Sequence, residues 1–215
     1  MNSTVILKGN ILYTPRPSEF ISIQHGYIIA VDGIVVYCGE SIPPAYADCE
    51  VTDYGDNLII PGFVDTHAHA PQYCNRGLGM DKELLPWLET YTFPEEAKFS
   101  DLEYARLVYG AFVQDLWRNG TTRSILFGTI HKESTLVLME LLQKAGLSAY
   151  VGKVNMDRNS PDFLIEETSQ SLADTKEWLE SSASFGPLVK PIITPRFVPS
   201  CTSELMDGLG TLSEA

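Results

Sequence analysis

The sequence is short of positive charge and of long hydrophobic runs. Its 215 residues include 15 lysines and arginines against 28 aspartates and glutamates, which gives a net charge of −13. An acidic chain repels phosphate groups, so we expect neither nucleic acid nor a membrane surface as a partner. No apolar run approaches the roughly 18 residues of a membrane-spanning helix. The start, "MNSTVILKGN", also lacks the charged and then apolar pattern of a signal peptide.

Cysteine is scarce as well. The four cysteines, Cys38, Cys49, Cys74 and Cys201, are far apart and form no CxxC pair. This spacing favours reduced thiols and a cytoplasmic location. Cys74 follows a pair of histidines closely and is a candidate metal ligand, but the intervening turn leaves the direction of its side chain open.

The first 57 residues predict a small β domain. The segments "TVILKGNILYT" and "FISIQHGYIIAVDGIVVYCG" are rich in β-branched and apolar residues. Asp32-Gly33, between two such runs, is a strong signal for a two-residue hairpin turn. His25 lies in this region, where we expect it at the surface.

From Leu58 onwards, apolar strands alternate with helices. The predicted strands are "NLIIPGFVDTH", "TTRSILFGTI", "LSAYVGKVNM" and "VKPIITPRF". We predict a helix with a capping box at Ser100 and Glu103, one that ends at Gly146, and one that begins at Ser160 and Pro161. These four βα units over 58–215 imply parallel strands covered by helices. They fit a doubly wound sheet or the first half of an eight-unit barrel.

Two histidines end the first of these strands. In "IIPGFVDTHAHAPQYCNRG", His67 and His69 share one face because strand side chains alternate. Asp65 shares that face too, where it either orients groups near the site or packs. The carboxyl ends of parallel strands commonly build active sites, and neutral imidazoles suit zinc or iron. The pair is therefore a candidate metal site, with two unremarkable loop histidines as the alternative.

The motifs resemble those of a known family. "PGFVDTHAHAPQY" is similar to the first-strand motif of the metal-dependent amidohydrolase superfamily, and "VDGIVVYCG" is similar to its small β domain. "HAPQY", "LLPWLETYTFPEE", "NGTT", "VGKVNMD" and "KPIITPRF" together resemble the guanine deaminase family. The resemblance implies an α/β fold, namely the N-terminal part of a (β/α)8 barrel of about four βα units, preceded by a small β domain.

The resemblance also implies a reaction and a set of site residues. The reaction is hydrolysis of guanine to xanthine and ammonia by a metal-activated water, with one Zn2+ in the intact enzyme and a small-molecule purine as partner. His67 and His69 match the metal ligands of the first strand, and Gln72 matches a glutamine that binds the purine. Arg196 and Phe197 match a pair that binds the carbonyl oxygen and packs on the ring. From the residues alone, a structural ion pair is the alternative for Arg196.

Other positions carry weaker expectations. Some members of the superfamily bridge two metals with a modified lysine at the end of the fourth strand. Lys190 lies at the start of that strand, which favours a single ion. Lys153 is expected to be structural. Three residues are predicted to line the pocket: Leu84, Trp87 and His131. Leu88 shares the same candidate lid as Leu84 and Trp87, with a core-facing stripe as the alternative.

The family's catalytic glutamate lies in an HxE motif on a later strand. No such motif occurs in the chain, so no general acid or base is assigned here and we expect the isolated chain to be inactive. We expect a homo-oligomer, or association with a missing C-terminal half. Two alternatives stay open: another aminopurine, triazine or pterin deaminase, and a non-catalytic fragment or interaction module.

Overall fold

A computed structural model describes residues 3–214 of the chain. The chain divides between Gly62 and Phe63 into two compact units. Within the described residues, no helix is both long enough and apolar enough to cross a membrane.

The first unit is a four-stranded sheet. Its strands are β1 (Thr4–Arg16), β2 (Glu19–Val31), β3 (Ile34–Gly39) and β4 (Val51–Ile59), and a short 3-10 turn covers Pro44–Tyr46. The strand order is β3-β2-β1-β4, with β1 antiparallel to β2 and parallel to β4. The predicted hairpin turn is confirmed, because Asp32 and Gly33 have φ angles of 50° and 80° and join β2 to β3. Ile6, Ile11 and Ile29 form the buried core of this sheet.

The second unit contains a parallel sheet whose strands follow chain order. They are β5 (Phe63–His69), β6 (Thr121–Phe127), β7 (Ser148–Gly152) and β9 (Val189–Pro191), in the order β5-β6-β7-β9. The short strands β8 (Val154–Asn155) and β10 (Thr194–Pro195) follow β7 and β9 and pair in parallel. A doubly wound sheet would reverse its strand order at a switch point, whereas a (β/α) barrel does not. The predicted barrel-type arrangement of four βα units is therefore confirmed.

The helices cover this sheet. They are α1 (Leu84–Trp87), α2 (Phe93–Ala97), α3 (Leu102–Arg118), α4 (Lys132–Ala145), α5 (Thr168–Ser182) and α6 (Ser203–Glu214). A π-helical turn at Leu88–Thr92 joins α1 to α2, and 3-10 turns cover Ala70–Asn75, Lys98–Ser100 and Val198–Ser200. Tyr109, Leu138 and Trp178 from the helices pack with Leu126 and Val151 from the strands in a fully buried core.

The predicted strand "NLIIPGFVDTH" is in fact two strands. Leu58 and Ile59 pair with Asn10 and Ile11 in the first sheet, and β5 begins only at Phe63. Pro61 lies between them, and because it has no N–H group it cannot donate to a strand ladder.

Two predicted helix starts were also wrong. Asp101, not a box of Ser100 and Glu103, caps α3, because its carboxylate accepts from the N–H groups of Glu103 and Tyr104. The third predicted helix begins at Thr168 rather than at Ser160. The predicted end of α4 is confirmed, since Gly146 adopts the left-handed conformation with φ 70°.

Candidate functional site

His67 and His69 lie at the carboxyl end of β5, where the strand is irregular. The pairing register with β6 shifts between Asp65 and Ala68, and the Asp65 carboxylate accepts from the backbone N–H of His67 at 3.0 Å. The two imidazole rings are 5.3 Å apart between centroids. Both rings pack against Phe127 of β6, at 5.1 Å for His67 and 4.5 Å for His69. The irregular strand and the aromatic ring together hold the two imidazoles next to each other.

The surroundings of His69 favour its neutral form. Burial, followed by the nearby charges of Arg196 and His67, lowers the pKa of His69 to about 3. Its Nδ1 atom is buried and has no hydrogen-bond partner among the described residues. A neutral imidazole with a free nitrogen lone pair is the form that binds a metal ion.

The histidine pair fits part of a metal site. Residues 3–214 contain no group of three or more histidine, cysteine, aspartate or glutamate side chains that could hold an ion. Cys74, the candidate third ligand, is an exposed free thiol and forms no such group with the two histidines. Because a catalytic zinc ion takes about three protein ligands, this chain supplies two of them at most at this point.

Gln72 and Arg196 meet at a single buried carboxylate. Gln72, in the 3-10 turn after β5, donates from Nε2 to Glu96 Oε1 at 3.3 Å. Arg196, directly after β10, donates from Nη1 to Glu96 Oε2 at 2.5 Å. The backbone N–H of Arg196 donates to Asn155 O at 3.2 Å and so fixes the residue at the end of β8. Arg196 therefore does form an ion pair, the alternative to substrate binding that the sequence left open, and its partner Glu96 also bonds to Gln72.

One aromatic ring lies against Arg196, and another follows it in the sequence. Its guanidinium carbon lies 5.2 Å from the ring centroid of Phe93, which is almost completely buried in α2. Phe197 is 36% exposed and lines a cavity of about 370 Å3 with Phe93, Leu88 and Leu85. Phe197 is therefore partly exposed at this cavity and follows Arg196 directly in the sequence.

The three residues predicted to line the pocket lie in different places. Trp87 lines a second cavity of about 370 Å3 together with His69 and Gln72, and its indole N–H donates to Leu78 O at 2.9 Å. Leu84 is 63% exposed at the start of α1. His131 lines a separate cavity of about 260 Å3, with Glu166 and Asp174.

Lys153 is fully buried and paired. Its ammonium donates to Glu166 Oε1 at 2.6 Å and to Val154 O at 3.1 Å, and Glu166 Oε2 accepts from the N–H of Met156. These contacts tie the segment before α5 to the strands. Lys190 is exposed in the middle of β9, whereas Arg196 follows the next short strand, β10.

Glu96 is the residue of this site that the sequence did not indicate. A carboxylate is almost never fully buried unless it is paired, and its partner Arg196 lies 100 residues further along the chain. The adjacent Glu95, in the same "FPEE" run, bonds instead to Tyr104 and Lys98. No local pattern separates the two glutamates.

Comparisons with known proteins find relatives along almost the whole chain. The model of the amidohydrolase family matches residues 58–215. The chain is 54% identical to the guanine deaminase of Dictyostelium discoideum, over 76% of this chain and 36% of that protein. It is 38% identical to the probable guanine deaminase of Schizosaccharomyces pombe, over 97% of this chain and 42% of that protein. The chain therefore spans less than half the length of these two relatives.

Solved structures share the fold. The crystal structure of guanine deaminase from C. acetobutylicum, with bound guanine in its active site, has a TM-score of 0.95 and 51% identity. That match covers 99% of this chain and 51% of the other chain. A triazine hydrolase from Arthobacter aurescens has a TM-score of 0.82 at 14% identity, and this likeness shows the fold alone.

Proposed function

The chain belongs to the amidohydrolase family, and from this premise we propose that it forms the purine-binding half of a guanine deaminase, which hydrolyses guanine to xanthine and ammonia. One observation carries the proposal: Gln72, which lines a cavity with His69, bonds to the same buried carboxylate as Arg196. A purine bound by these side chains would lie next to the histidine pair. The likeness to a guanine deaminase with bound guanine supports the choice of substrate.

Each residue has a distinct task in the proposal. The guanidinium of Arg196 donates to the carbonyl oxygen of guanine, and Gln72 bonds to the polar edge of the ring. Phe197 packs against the ring face. His67 and His69 would hold one zinc ion through their ring nitrogens. The chemistry that zinc supplies when bound is the activation of water for hydrolysis.

The proton transfers are assigned outside this chain. The chain spans about half the length of its relatives and has no HxE motif. The proposal therefore places the general acid and base, together with the remaining metal ligands, in the part of the relatives' length that this chain does not match. The residues here bind and orient the purine and hold the metal in place.

The open sheet supports association with a further strand. Among the described strands, β5 pairs only with β6, and its residues Phe63 and Val64 are 58% and 59% exposed. An apolar, unpaired edge recruits other strands. We propose that a complementary half, or a second copy, covers this edge. The proposal includes a cytoplasmic location, in line with the four free thiols.

The test is ammonia release from guanine by the zinc-loaded, full-length protein that contains this chain. We expect turnover of guanine and none of adenine. Gln72→Leu should lower kcat/KM by roughly tenfold or more, the value of one lost hydrogen bond in a closed site. Gln170→Leu, at an exposed glutamine of α5, is the matched control and should leave kcat/KM unchanged. A wild-type protein that releases no ammonia from guanine would refute the proposed function.

A further inference from the structure

Glu96 holds two side chains that the proposed function places on the purine. It projects from α2 and its side chain is 1% exposed, and that of Arg196 is 4% exposed. Its two oxygens are divided between two partners, Oε1 for Gln72 and Oε2 for Arg196. One carboxylate therefore fixes the relative positions of a glutamine that follows the first strand and an arginine that follows the fourth.

This contact determines which end of the Gln72 amide faces the site. A carboxylate can only accept hydrogen bonds, so the amide must turn its NH2 group towards Glu96. The carbonyl oxygen of Gln72 is then left to accept, and among the described residues no donor bonds to it. Gln72 thus presents an acceptor to a ligand and favours a ligand group with an N–H.

The same contact sets the charge and the free donors of Arg196. In the described part of the chain, the only hydrogen bond from its guanidinium runs from Nη1 to Glu96. The other guanidinium nitrogens keep their N–H donors, which favours a ligand oxygen acceptor. The positive charge is already balanced by Glu96 in a nearly water-free position, so a second negative charge on the ligand gains little attraction.

We propose that Glu96 is a specificity-determining positioning residue, which selects a neutral ring with adjacent C=O and N–H groups, a lactam edge, over a reversed edge or an anion. The inference rests on the proposed function, because it takes Gln72 and Arg196 as the residues that contact the purine. Guanine has such an edge. Adenine offers the reverse pattern, an amino donor beside a ring-nitrogen acceptor, and urate carries a negative charge.

The experiment measures binding rather than turnover, by calorimetry on the zinc-loaded, full-length protein. Hypoxanthine is the neutral lactam probe, adenine the reversed probe and urate the anionic probe. The wild-type protein should bind hypoxanthine about 100-fold more tightly than adenine, because two hydrogen bonds are reversed at about tenfold each. In Glu96→Gln the amide at position 72 is free to turn and Arg196 loses its counter-charge. The ratio of hypoxanthine to adenine affinity should fall about tenfold, and urate affinity relative to hypoxanthine should rise about tenfold.

Two further variants separate this role from a structural one. Glu95→Gln is the matched control, since Glu95 is also buried but bonds to Tyr104 and Lys98, and both affinity ratios should stay at wild-type values. Glu96→Asp keeps the charge but shortens the reach. Its hypoxanthine-to-adenine ratio should fall while its urate ratio stays low, and this variant decides the matter if Glu96→Gln does not fold.

The outcomes are distinct from those of the proposed function. Absence of ammonia release from guanine by the wild-type protein refutes the function, whereas the two affinity ratios test Glu96. The inference is overturned if the wild-type protein does not prefer hypoxanthine over adenine. It is equally overturned if the folded Glu96 variants keep both wild-type ratios, since Glu96 would then only stabilise the fold.

Discussion

Glu96 and Arg196 form an ion pair that is almost completely shielded from solvent, with side chains that are 1% and 4% exposed. The pair joins α2, which follows the first strand of the parallel sheet, to the end of β10. A surface pair of the same chemistry, Glu140 with Arg106, connects α4 to α3 at 3.0 Å, with side chains 35% and 54% exposed. The two pairs allow burial to be tested separately from charge.

Removal of the buried partner should destabilise the second unit strongly. Glu96→Ala leaves Arg196 buried without a counter-charge, which should cost about 3–5 kcal/mol in the free energy of unfolding. Glu140→Ala should cost less than about 1 kcal/mol, because water screens both of its exposed partners, Arg106 and Lys144. Denaturant unfolding of both variants measures the difference. Equal losses would show that the buried pair is no more important than the surface pair.

Arg196→Lys should impair guanine turnover although the charge is kept. An ammonium is a point donor and cannot both pair with Glu96 and present a planar fork to a carbonyl oxygen. We expect kcat/KM for guanine to fall by roughly 10- to 100-fold. Arg106→Lys, at the surface pair, is the control and should be neutral. Steady-state kinetics of the full-length variants measure this difference. An unchanged kcat/KM in Arg196→Lys would contradict the role of Arg196 in guanine binding.

Asp157 should make stability depend on acidic pH. Partial burial alone would raise its pKa, but hydrogen bonds from the hydroxyl and N–H of Thr202 and from the hydroxyl of Thr168 outweigh burial and lower it. With a folded-state pKa below the ordinary value, its stabilising contribution is present above about pH 3.9 and is lost as pH falls through the folded-state pKa.

Asp157→Asn should therefore lose about 1–3 kcal/mol at neutral pH, the value of hydrogen bonds to a charged group. As pH falls, the wild type loses the contribution of Asp157, whereas the variant has no such contribution to lose. The stability curves of variant and wild type should therefore converge in acid. Asp162→Asn, at an exposed aspartate, is the control. Unfolding midpoints measured across the acidic range test this, and parallel curves for Asp157→Asn and wild type would contradict it.

Residues 1–215, expressed alone, should neither turn over guanine nor stay monomeric. The histidine pair supplies two of the roughly three protein ligands of a catalytic zinc ion, and loss of a general acid or base costs about 10²- to 10⁴-fold in rate. The exposed edge of β5 favours self-association. Solution sizing and an ammonia assay with added zinc measure both points. A monodisperse monomer that deaminates guanine would overturn both expectations.

Features set by neighbouring residues were predictable from the sequence. The end of α4 at Gly146 and the turn at Asp32-Gly33 need only a local residue that tolerates a positive φ angle. The family and the barrel-type order of strands were also predicted and are confirmed. The roles of His67, His69, Gln72, Arg196 and Phe197 remain predictions.

Features set by distant contacts were not predictable. The segment after Ser160 carries helix-start signals, yet Glu166 within it is held by buried Lys153 and by the N–H of Met156, and α5 begins only afterwards. Glu96 was missed for the same reason, since its burial makes sense only once Arg196 is placed beside it.

The central claim is that Gln72 and Arg196 hold guanine beside a metal ion bound by the histidine pair. A crystal structure of the full-length protein with zinc and guanine tests it most directly. The account predicts ring nitrogens of His67 and His69 at about 2.0–2.1 Å from zinc. It also predicts the guanine carbonyl oxygen within hydrogen-bond distance of Arg196, with the Gln72 amide still bonded to Glu96. Zinc held by other residues, or guanine bound without contact to Gln72 and Arg196, would contradict the account.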